Sequence, residues 1–193
     1  MSDGFMIWFL RGEPTGRVID HLAGTGAALA YPIGEGKVSV LDLEGTQQIV
    51  SSEAFMPLLE DNDSPSLTFQ MWYSMAEDMV VTIQRNLPGA SSDTASYAVT
   101  CSLDGLETDQ VESAIAGADR LVSESSDEVI GIVIDKRGST EDFDWEAFIA
   151  DPSTTPPAPD RLVVRCEALE GPAVDRGAWS MGRPTADLAT FGG

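Results

Sequence analysis

Three features of the chain imply an α+β domain, a mainly antiparallel β-sheet with helices packed chiefly on one face. First, "LTFQMWYSM" and "MVVTIQR" (67–75 and 79–85) alternate at period two around a turn at Ala76, Glu77 and Asp78, the pattern of a hairpin buried on one side. Second, "EVIGIVID" (128–135) is apolar at consecutive positions, as a central strand covered on both faces would be. Third, between it and the strand-like "YAVTCSL" (97–103), Val111, Ile115, Ala118 and Val122 recur at helical spacing.

The elements follow in order. Phe5 to Leu10 reads as a first strand. Pro14 suits an opening helical turn, Val18, Ile19 and Leu22 share the buried side of that helix, and Gly24 and Gly26 end it. "GKVSVLDLEG" (36–45) is a strand with Val38 and Val40 on one face, and "TQQIVSS" (46–52) pairs with it across the Glu44-Gly45 turn. "SSEAFMPLLEDND" (51–63) is a short helix at best, because Pro57 removes a backbone donor. In the hairpin, Phe69, Met71, Tyr73 and Met75 share a face with Met79, Val81 and Ile83. Trp72 falls on the other side with Gln70, Val80 and Thr82, a partly polar surface open to a cover or a contact.

Residues 86–96 read as a loop, and Tyr97, Val99, Cys101 and Leu103 align in the next strand. Asp109 is the predicted cap of the following helix, with Glu112 reaching back to it. Residues 1–150 thus form the α+β core. The run "DPSTTPPAPD" (151–160) is a Pro-rich linker, 161–170 adds a strand with Leu162, Val164 and Cys166 on one face, and 171–193 is a tail that is loose or wraps the body.

With 32 acidic against 11 basic residues, the formal charge is −21. This opposes binding to nucleic acid or to an anionic membrane surface, both of which need clustered Lys and Arg. It favours a basic protein partner, whose approach a negative field accelerates, and it equally serves solubility. The apolar run at Phe5–Leu10 is too short for a signal core and lacks a basic lead, so a cytoplasmic protein is expected. Cys101 and Cys166 make neither a disulfide framework nor a zinc site, and are expected as reduced, buried thiols.

No cofactor is expected either. Gly24-Thr25-Gly26 opens like a dinucleotide fingerprint, but Leu29 holds its sixth position and a helix precedes it. "GEGKV" has Tyr31 where a P-loop needs glycine and Val38 where it needs Ser or Thr. His21 is the only histidine, and adjacent Asp20 faces elsewhere on a helix, so it cannot orient the ring. The closing Gly192-Gly193 shares only two residues with the ends of ubiquitin-like modifiers.

The segment "STEDFDWEAF" (139–148) concentrates carboxylates among aromatics. As a helix it buries Trp145, Phe148 and Ile149 and exposes Asp142 and Glu146 at four-residue spacing. Three readings stand: acids complementing the N–H groups of a first helical turn, oxygen ligands for a hard cation together with Asp135, or a contact surface for a basic partner. The contact residues would be Glu141, Asp142, Asp144, Glu146 and Trp72. The expected function is a non-enzymatic acidic protein-binding module that sequesters or neutralises a basic protein, as immunity and antitoxin proteins do. Against it stand a metal-dependent hydrolase using Asp135, Asp142 and Glu146, and a structural or scaffold component of a larger assembly.

Overall fold

The computed structural model describes residues 4–32, 34–87, 96–151, 155–165, 180–181 and 188–192. Along the chain the elements are β1 (Phe5–Arg11), α1 (Gly16–Ala23), β2 (Lys37–Leu41), β3 (Gln47–Ser51), α2 (Ser52–Glu60), β4 (Ser66–Trp72), β5 (Asp78–Arg85) and β6 (Ser96–Ser102). Then come α3 (Thr108–Glu124), β7 (Val129–Asp135), α4 (Trp145–Ala150), β8 (Arg161–Arg165), β9 (Ser180–Met181) and β10 (Leu188–Gly192). The strands form one sheet in the order β3-β2-β4-β5-β6-β1-β7-β8-β10-β9. Every neighbouring pair is antiparallel.

The α+β reading therefore holds, and its face assignment follows from alternation. Met6, Trp8 and Leu10 of β1, Met79, Val81 and Ile83 of β5, and Val99 and Cys101 of β6 turn to one side. There they meet Val18 and Leu22 of α1, Phe55 and Leu59 of α2, and Ala114, Ala118 and Leu121 of α3. Phe9, Ala98, Val133, Leu162, Val164, Ala189 and Phe191 turn to the other side and pack with Trp145 and Phe148 of α4. Gly131 lies close under α4: a methyl there would fall 2.6 Å from Ile149 Cδ1, so that side chain would have to turn aside. Fully burying each large apolar side chain contributes roughly 1.5–3 kcal/mol.

Several local expectations are corrected. The α3 cap is Glu107, not Asp109: its side chain accepts from the N–H of Gln110, whose own side chain accepts from the Glu107 N–H at 2.8 Å. The buried stripe of α3 is Ala114, Gly117, Ala118 and Leu121, with Val111, Ile115 and Val122 only partly covered at its margins. Pro57 sits inside α2, which still spans nine residues. Both Pro57 and Glu53 are exposed, so water can take the carbonyl that the missing N–H would have bonded. Met75 does not continue the face of Phe69 and Met71: it lies in the turn after β4 and is 72% exposed.

β8 pairs with β7, and β10 lies beyond it. Of the Pro-rich stretch, 155–160 carry no regular structure, and Asp160 Oδ2 accepts the backbone N–H of Lys136 at 2.7 Å. The expectations for Cys166, for the 88–95 part of the loop, and for 166–179, 182–187 and 193 of the chain's end lie outside the described residues. Among the described residues, no helix is long and apolar enough to cross a membrane.

Candidate functional site

One cross-strand row shows where the second face of the sheet is covered. Leu41, Thr68, Thr82, Thr100, Ile7, Val133, Leu162 and Phe191 are successive partners across β2, β4, β5, β6, β1, β7, β8 and β10. From Val133 onward the row is buried under α4, whereas Thr68, Thr82 and Thr100 are half-buried, the first two joined by a 3.1 Å hydroxyl contact. Val80, Leu41 and Trp72, on the same side, belong to neither core cluster. The half-face over β2, β4, β5 and β6 is thus a platform of Thr, Gln and Ser with scattered apolar residues. Among the described residues no helix packs on it.

A cleft of about 330 Å³ opens at the step between platform and α4. Its lining is Phe5, Ile7, Thr100, Glu141, Phe143, Asp144, Trp145 and Glu146. Phe143 and Trp145 meet edge to face with ring centres 4.8 Å apart, and Trp145 and Phe148 do the same at 5.8 Å. Three carboxylates rim this aromatic wall, and no Lys or Arg is among the lining residues.

The loop before α4 is organised by Asp135. Its carboxylate is buried and accepts from the N–H of Arg137 (3.1 Å), the N–H of Thr140 (2.7 Å) and the hydroxyl of Ser139 (3.1 and 3.3 Å). Gly138, at φ 61°, lets the chain double back so that these donors converge. Burial pushes the Asp135 carboxyl up, but the donors around it, Thr140 first and then Arg137 and Ser139, hold it below the usual carboxylate range. Asp144 is the N-cap of α4, accepting from Ala147 N at 2.9 Å. Glu146 is half-buried and accepts from Gln84 Nε2 of β5 at 3.2 Å. Its carboxyl is raised above the ordinary glutamate range, chiefly by burial and next by the negative charge of Asp144, with the Gln84 bond opposing.

The predicted contact set is therefore divided. Glu141, Asp144 and Glu146 come together at the cleft. Asp142 is exposed and lies ahead of α4, because the helix starts only after the Asp144 cap, so it shares no helical face with Glu146. Trp72 stands apart: it pairs with Asp78 at the far end of β5 from Gln84, six residues or roughly 20 Å along the strand. It packs edge to face on Tyr31 instead. The Asp135, Asp142 and Glu146 set is not assembled, and among the described residues no three His, Cys, Asp or Glu side chains converge as a metal-holding group. Phe5, Ile7 and Thr100 are cleft residues that sequence reasoning missed. The available signal was β1 itself, whose two faces are both apolar.

The other motifs have structural roles. Gly24-Thr25-Gly26 closes α1: the Gly24 N–H donates to Asp20 O, and Thr25 Oγ1 donates to Leu22 O at 2.6 Å. The Cys101 thiol is fully buried, and burial pushes it up to about 12, where it stays protonated. His21 Nε2 lies 3.4 Å from Ser125 Oγ beside a second concavity of about 410 Å³ lined also by Arg11, Arg17, Tyr97 and Glu128. That concavity is self-neutralising, since Arg17 and Glu128 pair at 2.6 Å.

The described cations are largely engaged within the fold. Arg85, Arg120 and Arg165 donate to backbone carbonyls, and Arg137 and Arg161 pair with Asp160 and Asp119. Comparison with protein-family models, with curated proteins and with solved structures finds no significant match to this chain. Fold and site alone therefore define its class: an antiparallel α+β sheet protein with one half-open face and a carboxylate-rimmed aromatic cleft.

Proposed function

We propose that this chain is a non-enzymatic binding module that engages a basic protein through the cleft and the adjoining sheet platform. One observation carries the reading: Glu141, Asp144 and Glu146 rim an aromatic wall without a basic neighbour in the lining, in a chain of net charge −21. Such an arrangement sets like charges side by side, which a cationic partner relieves; at Glu146 burial raises the carboxyl first and the negative charge of Asp144 adds to it. Aromatics beside charge supply the contact area of an interface anchor. The strong negative field hastens encounter with a basic surface and rejects acidic ones. A partner of this kind suits neutralisation of a basic toxin-like protein in the manner of an immunity protein.

The test is capture of basic proteins from a lysate of the source cells by the immobilised chain and by its Glu141→Gln/Asp144→Asn/Glu146→Gln variant. We expect a specific basic protein retained at low salt, weakened at high salt, and bound about tenfold more weakly by the variant, which corresponds to roughly 1.4 kcal/mol. Equal capture by both proteins at either salt would remove the basis of the reading.

A further inference from the structure

Resting on that reading, we infer that the cleft is the seat of a single anchoring arginine side chain, presented by an extended segment of the basic partner. Charge complementarity selects a cation, because the three rim carboxylates have no Lys or Arg among the lining residues. The floor and walls select what lies behind the cation. Phe5 and Ile7 offer apolar surface for methylene groups, and the half-buried ring of Phe143, braced edge to face by the buried Trp145, offers a surface on which a planar guanidinium stacks. A lysine ammonium, compact and more strongly hydrated, would satisfy the rim but gain less from the rings.

Size points the same way. At about 330 Å³ the cleft lies at the lower limit of roughly 300–1,000 Å³ for ligand pockets, room for one long side chain rather than a cofactor. A second observation indicates a peptide as the carrier. Trp145 is only 3% exposed, lines the cleft, and leaves its indole N–H without an acceptor among the described residues. A peptide carbonyl beside the arginine supplies an acceptor that a free amine lacks. The platform continues the track: Thr100, Thr82 and Thr68 run outward from the cleft in one row and offer hydroxyls to an extended chain.

The experiment is a titration of the full chain, followed by amide and indole NMR shifts, with acetyl-Gly-Gly-Arg-Gly-Gly-amide, its citrulline counterpart and agmatine. The arginine peptide is expected to give saturable shifts at the Trp145 indole and the Thr100 amide. The citrulline peptide, equal in shape but neutral, should bind about tenfold more weakly, and Glu141→Gln/Glu146→Gln should weaken the arginine peptide similarly at unchanged thermal stability. Equal binding of arginine and citrulline peptides would overturn the inference. So would agmatine matching the peptide's affinity, which would make the cleft a small-amine site. Shifts confined to other acidic surfaces would overturn the anchor while leaving the basic-partner reading standing. That reading falls separately, through salt-independent capture unaffected by the rim substitutions.

Discussion

Arg85→Ala should lower the unfolding free energy by about 4 kcal/mol, measured by urea denaturation at neutral pH. The side chain is 5% exposed and closes the end of α2. Its Nη2 donates to Leu58 O (3.1 Å) and Leu59 O (2.7 Å), and its Nη1 donates to Ser64 O (3.1 Å). The carbonyls of Leu58 and Leu59 belong to the last helical turn, where no further N–H exists and where the helix dipole favours positive charge. Bonds from a charged donor contribute roughly 1.5–3 kcal/mol each, and partial rehydration of the bared carbonyls recovers some of that sum. Burial lowers the affinity of this guanidinium for its proton, with the charge of Asp61 opposing, yet an arginine stays charged at the neutral pH of the measurement. Arg85→Met separates packing from capping, since it restores the apolar stem without the donors. It should recover about a third of the loss. If both variants stay within about 0.5 kcal/mol of the parent, a difference typical of surface substitutions, the clamp has no energetic role.

That clamp illustrates what sequence patterns reveal and what they hide. Alternation at Phe69, Met71, Met79, Val81 and Ile83 was readable because side chains on a strand change face at every residue, whatever the strand pairs with. The doubly apolar run of β7 marked a covered strand for the same reason. The order of the sheet was not readable. β1 lies between β6 and β7, partners about 90 and 130 residues away, and nothing local records such pairing. The cleft inherits that difficulty, since Phe5, Thr100 and Glu146 come from three distant segments. Local competition explains the smaller misses. Asp109 is a capping residue by type and Glu107 is not, so residue preference pointed to the wrong one, and the reciprocal bond to Gln110 sets the start of the helix at Glu107. In "STEDFDWEAF" the aromatic half was legible from spacing, because Trp145, Phe148 and Ile149 do face the core. The acidic half was not, because Asp144 capping α4 places Asp142 outside the helix.

The same segment rests on Asp135, and its removal is the stronger test of how fold and cleft are linked. Asp135→Ala is expected to cost about 3 kcal/mol at neutral pH, since the buried N–H of Thr140 loses its acceptor together with Arg137 N and the Ser139 hydroxyl. The folded carboxyl lies below its unfolded value of 3.8, so its contribution is complete above that pH and is lost as pH falls through the folded value. The gap between parent and variant should therefore be widest near neutrality and shrink in acid. A gap that widened on acidification would contradict this assignment. Asp135→Asn keeps one acceptor oxygen and should lose about half as much. The effect should also reach the cleft, because the loop that Asp135 holds leads directly into Glu141, Phe143 and Asp144. Asp135→Ala, assayed well below its melting temperature, should bind the arginine peptide more weakly although Asp135 does not line the cleft. A variant that lost stability but bound the peptide unchanged would show that the rim is held independently of the Asp135 loop.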